Sequence, residues 1–502
     1  MDLYPYQAAD AAVMTESNVL LAYDMGLGKT PTVLRVVEGL RERGEVTGPG
    51  VVVVPASLRW QWAKEVERWT TMTGFVINGT PAQRHAQYTH CAGRPSSVVI
   101  MTYDAFVRDW EHHKHLKAFL VLDEATAIKN FKSKRSKHLK KVRDRYPIRF
   151  ALSGTPIENG NPEEIFSILE WVDPGILGSY WPFEKRYLKR NQFGWIEGYK
   201  HLAEFHTRIR PYVLRRTAKE PEVAEYLPKV RHLDPYLVPL DRATRTVYDR
   251  IADNLLSDLD DMVMRVHGTA NRADLADQHP DGKMMAKIQT ARMLLDHPDV
   301  VAQAEGDYAR TLVPALPSAH PKLDAAVEYV DDFLDTDERN KVVIFTSFVH
   351  MAALLRASWS GRAVMFTGQM NARARNEAKE AFQTNPAIRV FVSTDAGGYG
   401  LDLPQANLLV NYDQPWQAGL LKQRNARIRR ASSEWDYVVV QDFVMADTLE
   451  ERMLDMIAHK NAVSDAIMEG TGITPEGDLI SSLDSLRSFL TNRSSSRTIH
   501  AS

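Results

Sequence analysis

Cysteine is almost absent: Cys91 stands alone among 502 residues. No intrachain disulfide can form, a reducing compartment is the simpler reading, and one thiolate cannot build a cysteine-ligated zinc module. No charge of one sign dominates, since 62 Lys and Arg face 64 Asp and Glu for a formal net charge of -2. That balance argues against a protein that coats nucleic acid by bulk charge, and leaves room for a local basic cleft. Long hydrophobic runs are missing too. Val51-Val-Val-Val-Pro55 and Val438-Val-Val440 are strand-sized and far short of a membrane span. Met1-Asp-Leu-Tyr-Pro-Tyr-Gln7 lacks the basic-then-apolar order of a signal peptide, so a soluble chain in the cytoplasm is expected. What is present is an ordinary apolar share of 44%. It supports sizeable cores and excludes a wholly disordered or collagenous chain, and at roughly 150 residues per domain it suggests two or three units.

Short β-branched runs alternate with helical-period stretches in two separate regions. In the first, residues 18–22, 50–54, 97–101, 119–122 and 149–152 read as strands. Leu58, Trp62, Val66 and Trp69 between them put apolar groups on one helix face, which makes both tryptophans core residues. In the second, residues 341–345, 362–366, 389–392 and 407–410 repeat the pattern. Strand-helix alternation predicts α/β lobes built on mostly parallel sheets flanked by helices. Residues 180–320 have few strand-like runs and dense charge, which predicts mainly helical excursions and a linker, with Gly268 to Gly282 as a loop. The serine-rich end, Arg487 to Ser502, is expected to be disordered. The predicted division is 1–215, 216–320, 321–470 and a tail of 471–502.

Asp24-Met-Gly-Leu-Gly-Lys-Thr30 follows a strand and opens a helix. Gly26 and Gly28 allow a tight turn whose N–H groups can face phosphate oxygens, and the helix dipole adds positive potential. Lys29 would reach the terminal phosphates of a nucleotide and the Thr30 hydroxyl would ligate Mg2+. The first glycine of the full phosphate-loop pattern is replaced by Tyr23, so an ordinary strand-to-helix turn is the alternative. Phe119-Leu-Val-Leu-Asp-Glu-Ala-Thr126 is an apolar strand ending in two carboxylates. Asp123 would hold the metal and Glu124 would activate the attacking water, against the alternative of a solvated acidic strand end. In Gln423-Arg-Asn-Ala-Arg-Ile-Arg-Arg430, Arg427 and Arg430 are three apart and on a helix would face one way, to stabilise the transferring phosphoryl group. The alternative is a solvated basic helix face. His112, His113 and His115 lack further ligands at a metal-site spacing and are expected at a solvated helix end.

Taken in order, these residues resemble the Snf-type ATPases of helicase superfamily two, over about residues 3–460. The resemblance rests on Leu3-Tyr-Pro-Tyr-Gln7, Asp24–Thr30, Pro55-Ala-Ser-Leu-Arg-Trp-Gln-Trp62, Asp123-Glu-Ala-Thr-Ala-Ile-Lys-Asn130 and Leu152-Ser-Gly-Thr-Pro-Ile-Glu-Asn159. It continues through Arg210-Pro-Tyr-Val-Leu-Arg-Arg-Thr217, Leu295-Asp-His-Pro298, Val343-Ile-Phe-Thr-Ser-Phe348 and Ser393-Thr-Asp-Ala-Gly-Gly-Tyr-Gly-Leu401. It implies two RecA-like lobes with a helical interlobe insertion and a nucleotide site at Gln7, Met25, Gly26, Leu27, Gly28, Lys29, Thr30 and Asp402, with Gln7 at the adenine edge. It further implies coupling through Ser153, Thr155 and Gly398, and nucleic-acid contacts at Ser57, Arg59, Thr102, Ser347, Thr367 and Thr394.

Three positions depart from the family pattern: Thr126 where histidine is frequent, Asp395 where lysine is common, and Ala426 where aspartate is usual. The implied activity is ATP hydrolysis with Mg2+ in the cleft between lobes, coupled to movement along DNA as a helicase or translocase. The implied DNA is duplex and sequence-independent, the compartment that of the host if a phage encodes the chain. The alternatives are an RNA helicase and an ATP-gated DNA-binding scaffold without efficient turnover.

Overall fold

The computed structural model describes residues 2–190, 196–268, 282–318, 320–395 and 401–470. Gly398, residues 269–281 of the expected loop and the tail from 471 lie outside the described residues. Sixteen strands occur among those described: β1 Leu20–Tyr23, β2 Gly50–Val54, β3 Thr73–Val76, β4 Ser97–Thr102, β5 Leu120–Leu122, β6 Arg149–Leu152, β7 Leu188–Arg190, β8 Ile196–Tyr199, β9 Val213–Arg216, β10 Lys229–His232, β11 Tyr236–Val238, β12 Val342–Thr346, β13 Ala363–Phe366, β14 Val390–Thr394, β15 Leu408–Asn411 and β16 Tyr437–Met445. They fall into two compact units.

The first unit comprises the chain to Tyr187, His201–Pro228 and the end of the last helix from Lys460. Its sheet runs β3-β4-β2-β5-β6-β1-β9, with every pairing parallel. Central strands of such a sheet are covered on both faces and therefore carry continuous rather than alternating apolar runs. Val51 to Val54 and Leu120 to Leu122 are buried throughout. The edge strands β3 and β9 are only partly buried, and β3 carries a glycine while β9 ends in two arginines, so neither stands out in the sequence. Cys91 is buried in this unit, and burial pushes its thiol up to about 11, so it is an inert core group.

The histidine cluster corrects an expectation. His113 is fully buried, its Nε2 lies 2.9 Å from the Phe106 carbonyl oxygen, and burial pulls its pKa down to about 4. Packing of Phe106, Trp110 and Tyr88 around the ring makes it a core residue. His112 is exposed.

The second unit holds Leu188–Lys200, including the β7–β8 hairpin, and Lys229–His459. Its sheet runs β10-β16-β15-β12-β14-β13, with β11 also on β16, and is again parallel throughout. Side chains alternate across it: Val342, Ile344, Val390 and Val392 enter one core, and Val343, Phe345 and Phe391 enter the other. The helices Arg242–Gly268 and Gly282–Asp296 pack into the first of these cores through Tyr248, Ile251, Leu255, Ile288 and Leu295.

One charged knot sits in that core. Lys322 is fully buried, 3.2 Å from Asp296 and 2.6 Å from Glu450, and lies 4.9 Å from the Tyr412 ring centroid. Burial raises both carboxyls, and Lys322 opposes the rise. Removing the cation strands two carboxylates in the interior. Lys322→Met is therefore expected to destabilise this unit by about 3–5 kcal/mol in denaturant unfolding; a midpoint equal to the wild type would show that the knot is not held by charge.

Candidate functional site

In the first sheet β5, β6 and β1 are neighbours and parallel, so the turns leaving their C-terminal ends emerge side by side. Ligands of open parallel sheets gather at that edge. Three sequence motifs occupy these turns: Asp24 to Thr30 after β1, Asp123 and Glu124 after β5, Ser153 to Thr155 after β6.

Gly26 and Gly28 adopt φ of 84° and 81°, a region costly for residues with a Cβ. A Cβ on Gly28 would lie 2.2 Å from Gln7 Nε2, so turn and glutamine are fitted to one another. Gln7 Nε2 donates to the Leu27 carbonyl at 2.9 Å, Tyr6 Oη donates to the same oxygen at 3.0 Å, and Gln7 Oε1 accepts from Tyr4 N at 2.9 Å. One end of that amide braces the glycine turn, and the other closes the start of the helix Pro5–Glu16 that carries it. Leu27 is buried, Met25 half-buried and Gly26 exposed.

Lys29 and Thr30 are the first two residues of the helix Lys29–Glu42. Lys29 Nζ donates to the Tyr23 carbonyl at 3.0 Å, and a Cβ on Gly154 would come within 3.4 Å of that nitrogen and 2.7 Å of Met25 Cγ. The missing side chain at 154 leaves the space in which Lys29 and Met25 lie.

Asp123 is buried. Its Oδ2 accepts from Trp62 Nε1 at 2.7 Å and its Oδ1 accepts from Glu124 N at 2.9 Å. Burial pushes the carboxyl up, and the Trp62 bond and the Lys29 charge push it back. Glu124 has φ 48° and ψ 58°, a left-handed conformation that costs a non-glycine residue roughly 1–2 kcal/mol. Tyr103 Oη holds the kink by donating to the Asp123 carbonyl at 2.7 Å. Strain of this kind concentrates where a side chain must be aimed. Asp123 Oδ1 and Oδ2 each accept a hydrogen bond and, with the Thr30 hydroxyl, offer the hard oxygen donors that suit Mg2+, a cation that keeps several waters.

After β6, Ser153 Oγ accepts from Thr155 N at 3.2 Å, and Thr155 Oγ1 is buried with no hydrogen-bond partner among the described residues. Lys129 ties the second and third motifs together by bonding Glu158 and approaching Glu164 at 3.5 Å; Glu164 in turn accepts from Asn159 Nδ2 at 2.6 Å.

Several contributors were not singled out in the sequence. Trp62 reads as core, and it is, yet its indole also fixes Asp123. Tyr103 carries no local signal. On β9, Arg215 binds Asp24 at 2.8 Å and anchors the start of the glycine turn from the sheet edge, while Arg216 binds Asp10 of the helix Pro5–Glu16 at 2.7 Å. Their charges hide the strand, and only the flanking Val213-Leu214 hints at it.

In the second unit the arginine pair also corrects an expectation. The helix Ala418–Asn425 ends before either residue, because Arg427 N turns back onto the Arg424 carbonyl and Leu403 N takes the Arg427 carbonyl, each at 3.0 Å. Asp402 and its neighbour Leu401, rather than helix pitch, hold the two arginines. Arg430 Nε donates to Asp402 Oδ1 at 2.6 Å, and Arg427 Nη1 donates to the Leu401 carbonyl at 3.3 Å. Burial raises the Asp402 carboxyl, and the two guanidiniums more than offset it, holding it low.

The six expected nucleic-acid contacts lie at strand ends. Ser57 and Arg59 follow β2 and Thr102 closes β4, strands that are neighbours. Ser57 is exposed, Arg59 Nη1 donates to the Ile77 carbonyl at 3.0 Å, and Thr102 Oγ1 caps the helix Tyr103–Arg108 by accepting from Ala105 N. Ser347, Thr367 and Thr394 stand at the ends of the adjacent strands β12, β13 and β14. Thr367 and Thr394 are buried, while Ser347 Oγ donates to Asp413 Oδ1 at 2.5 Å and accepts from Arg292 at 3.1 Å. Asp395 is absorbed by a partner: fully buried Arg424 donates to it at 2.6 and 2.8 Å and also reaches Asp413.

A parallel sheet bearing a glycine-rich phosphate turn, a buried aspartate and a strained glutamate, followed by a second parallel sheet with an arginine pair, defines a helicase-type nucleotide-driven enzyme. The family model for the SNF2-related domain matches residues 9–300, more than half of the chain, and that for the helicase conserved C-terminal domain matches residues 325–432. The chain belongs to the SNF2-related family. Among its relatives, YwqA of Bacillus subtilis, named for an inferred ATP-dependent helicase/translocase activity, is 26% identical over 454 residues, covering 89% of this chain and 46% of YwqA. The human SWI/SNF-related matrix-associated actin-dependent regulator of chromatin subfamily A member 1 is 26% identical over 448 residues, 87% of this chain and 40% of the relative. The chain thus spans less than half the length of either. In fold it is similar to the Hef helicase domain of Pyrococcus furiosus, with a TM-score of 0.52 at 16% identity over 89% of this chain and 97% of that one.

Proposed function

We propose that the chain is a DNA-dependent ATPase that converts ATP hydrolysis into movement along duplex DNA. The observation that carries the reading is the convergence of Lys29, Asp123 and Ser153–Thr155 at the ends of three adjacent parallel strands, with Glu124 held in a strained backbone beside them. Gly26, Gly28 and Lys29 bind the phosphates; Thr30 and Asp123 would hold Mg2+, which would neutralise charge on the phosphate oxygens. Glu124 accepts a proton from the attacking water. Arg427 and Arg430 act on the transferring phosphoryl group. Ser153 and Thr155 report the state of the nucleotide to the rest of the first unit.

Within each sheet the candidate DNA contacts stand at strand ends, which suits a grip on backbone rather than on base edges. Ser57 and Thr102 use β2 and β4, and the nucleotide motifs use β5, β6 and β1, so one sheet edge serves both ligands without competition for strand ends.

The test is ATP turnover in the presence of duplex DNA, single-stranded DNA or RNA, beside displacement of a third strand from a triplex. Duplex DNA is expected to stimulate turnover most, in a salt-sensitive way, and ATP to drive loss of the third strand. Stronger stimulation by RNA would replace this reading with an RNA helicase. DNA binding without turnover would replace it with a nucleotide-gated scaffold.

A further inference from the structure

Between Glu124 and Asp144 the chain carries no acidic residue and eight Lys or Arg. In a chain whose overall charge is nearly balanced, that is a local excess with a defined place in the fold. The stretch ends in the helix Lys134–Val142, capped by Ser133, whose Oγ accepts from Ser136 N at 3.2 Å.

The structure divides these cations into two sets. Lys129 is committed to Glu158 and Glu164, Lys140 lies 2.5 Å from Glu170, and Arg135 lies 2.7 Å from Asp104 and over the Tyr103 ring. These join the helix to its neighbours. Ser136, Leu139 and Val142 face inward and are buried. Lys134, Lys137 and Lys141 are exposed, and none has a carboxylate within ion-pair distance among the described residues. Their i, i+3, i+7 spacing places them on a single stripe about 10 Å long. Lys132, also exposed, extends that stripe at its start.

The stripe borders a groove of about 520 Å³ lined by Asp104, Arg108, Asn130, Lys134 and Arg135. Its far wall is the helix Tyr103–Arg108, the one capped by Thr102. Through Lys134 the stripe thus meets a groove whose other wall is the helix that Thr102 caps. No large exposed hydrophobic side chain lies between residues 125 and 143, so a protein partner would find no apolar anchor there, whereas a phosphodiester backbone needs only cations.

We infer that Lys134, Lys137 and Lys141, with Lys132, form a second backbone-binding track on the first unit, which takes the phosphates of duplex DNA beyond those met at Ser57, Arg59 and Thr102. The track rests on the proposed DNA-dependent activity. It sets affinity and salt response and takes no part in ATP chemistry, from which the four lysines stand apart.

The experiment compares the wild type with the triple variants Lys134→Gln/Lys137→Gln/Lys141→Gln and Lys134→Glu/Lys137→Glu/Lys141→Glu. A long random-sequence duplex is the ligand, and ATP hydrolysis without DNA is the control for folding. The Gln variant is expected to lower the slope of log affinity against log salt by about 2–3 and to raise half-saturating DNA on the order of tenfold, with kcat at saturating DNA unchanged. The Glu variant should go further in the same direction. Unchanged slope and half-saturation in variants with normal DNA-free hydrolysis would overturn the track, as would a loss confined to kcat. Loss of binding to a polyglutamate peptide with DNA affinity intact would reassign the surface to an acidic protein. If wild-type turnover ignores DNA altogether, the proposed function fails first, and the two failures are told apart by that arm.

Discussion

Glu124→Gln is expected to lower ATP turnover by about 10²–10⁴-fold while leaving nucleotide bound, the range that a positioned general base contributes. The amide keeps the size of the carboxylate and its place after β5 but cannot accept the proton of the attacking water. Tyr103 holds the backbone through the Asp123 carbonyl, and Trp62 holds Asp123 itself, so the kink survives the substitution. Lys29→Ala removes the cation that offsets the buried Asp123 charge and would contact the terminal phosphates. It should abolish turnover together with tight nucleotide binding. Steady-state hydrolysis beside equilibrium binding of a fluorescent ATP analogue separates the two variants. Near-normal hydrolysis by Glu124→Gln would remove the residue from the chemistry.

Much of this was legible in the amino acids because buried parallel strands announce themselves. Residues 50–54 and 341–345 are apolar without interruption, since both faces of each strand are covered, and the turns that follow carry the glycines and carboxylates of the site. What stayed hidden shares one cause: side chains whose partners are distant in sequence. The strand β9 ends in two arginines, and only with Asp24 and Asp10 beside them do those charges belong in a sheet. Trp62 looks like any core residue until Asp123 is placed 2.7 Å from its indole nitrogen. His113 reads as solvated because its neighbours in sequence are polar, whereas Phe106 and Trp110 enclose it.

The arginine pair shows the same limit from the other side. Spacing by three predicted a shared helical face, and the backbone leaves the helix before Arg427; Leu401 and Asp402, more than twenty residues earlier, are what the two arginines bond. The departure at Asp395 likewise gains a physical account only from its bidentate bond with buried Arg424, which would have no comparable partner were a lysine there.

Arg427→Ala tests most directly the proposed role of this arginine on the transferring phosphoryl group. Arg427 is buried, and its Nη1 donates to the Leu401 carbonyl at 3.3 Å. Nucleotide affinity and hydrolysis on saturating duplex DNA should be measured on the same preparation. The account predicts affinity within a few-fold of the wild type and hydrolysis lower by about 10³–10⁵, the range for an arginine acting on a transferring phosphoryl group. Equal loss of binding and turnover, or hydrolysis at the wild-type rate, would contradict it.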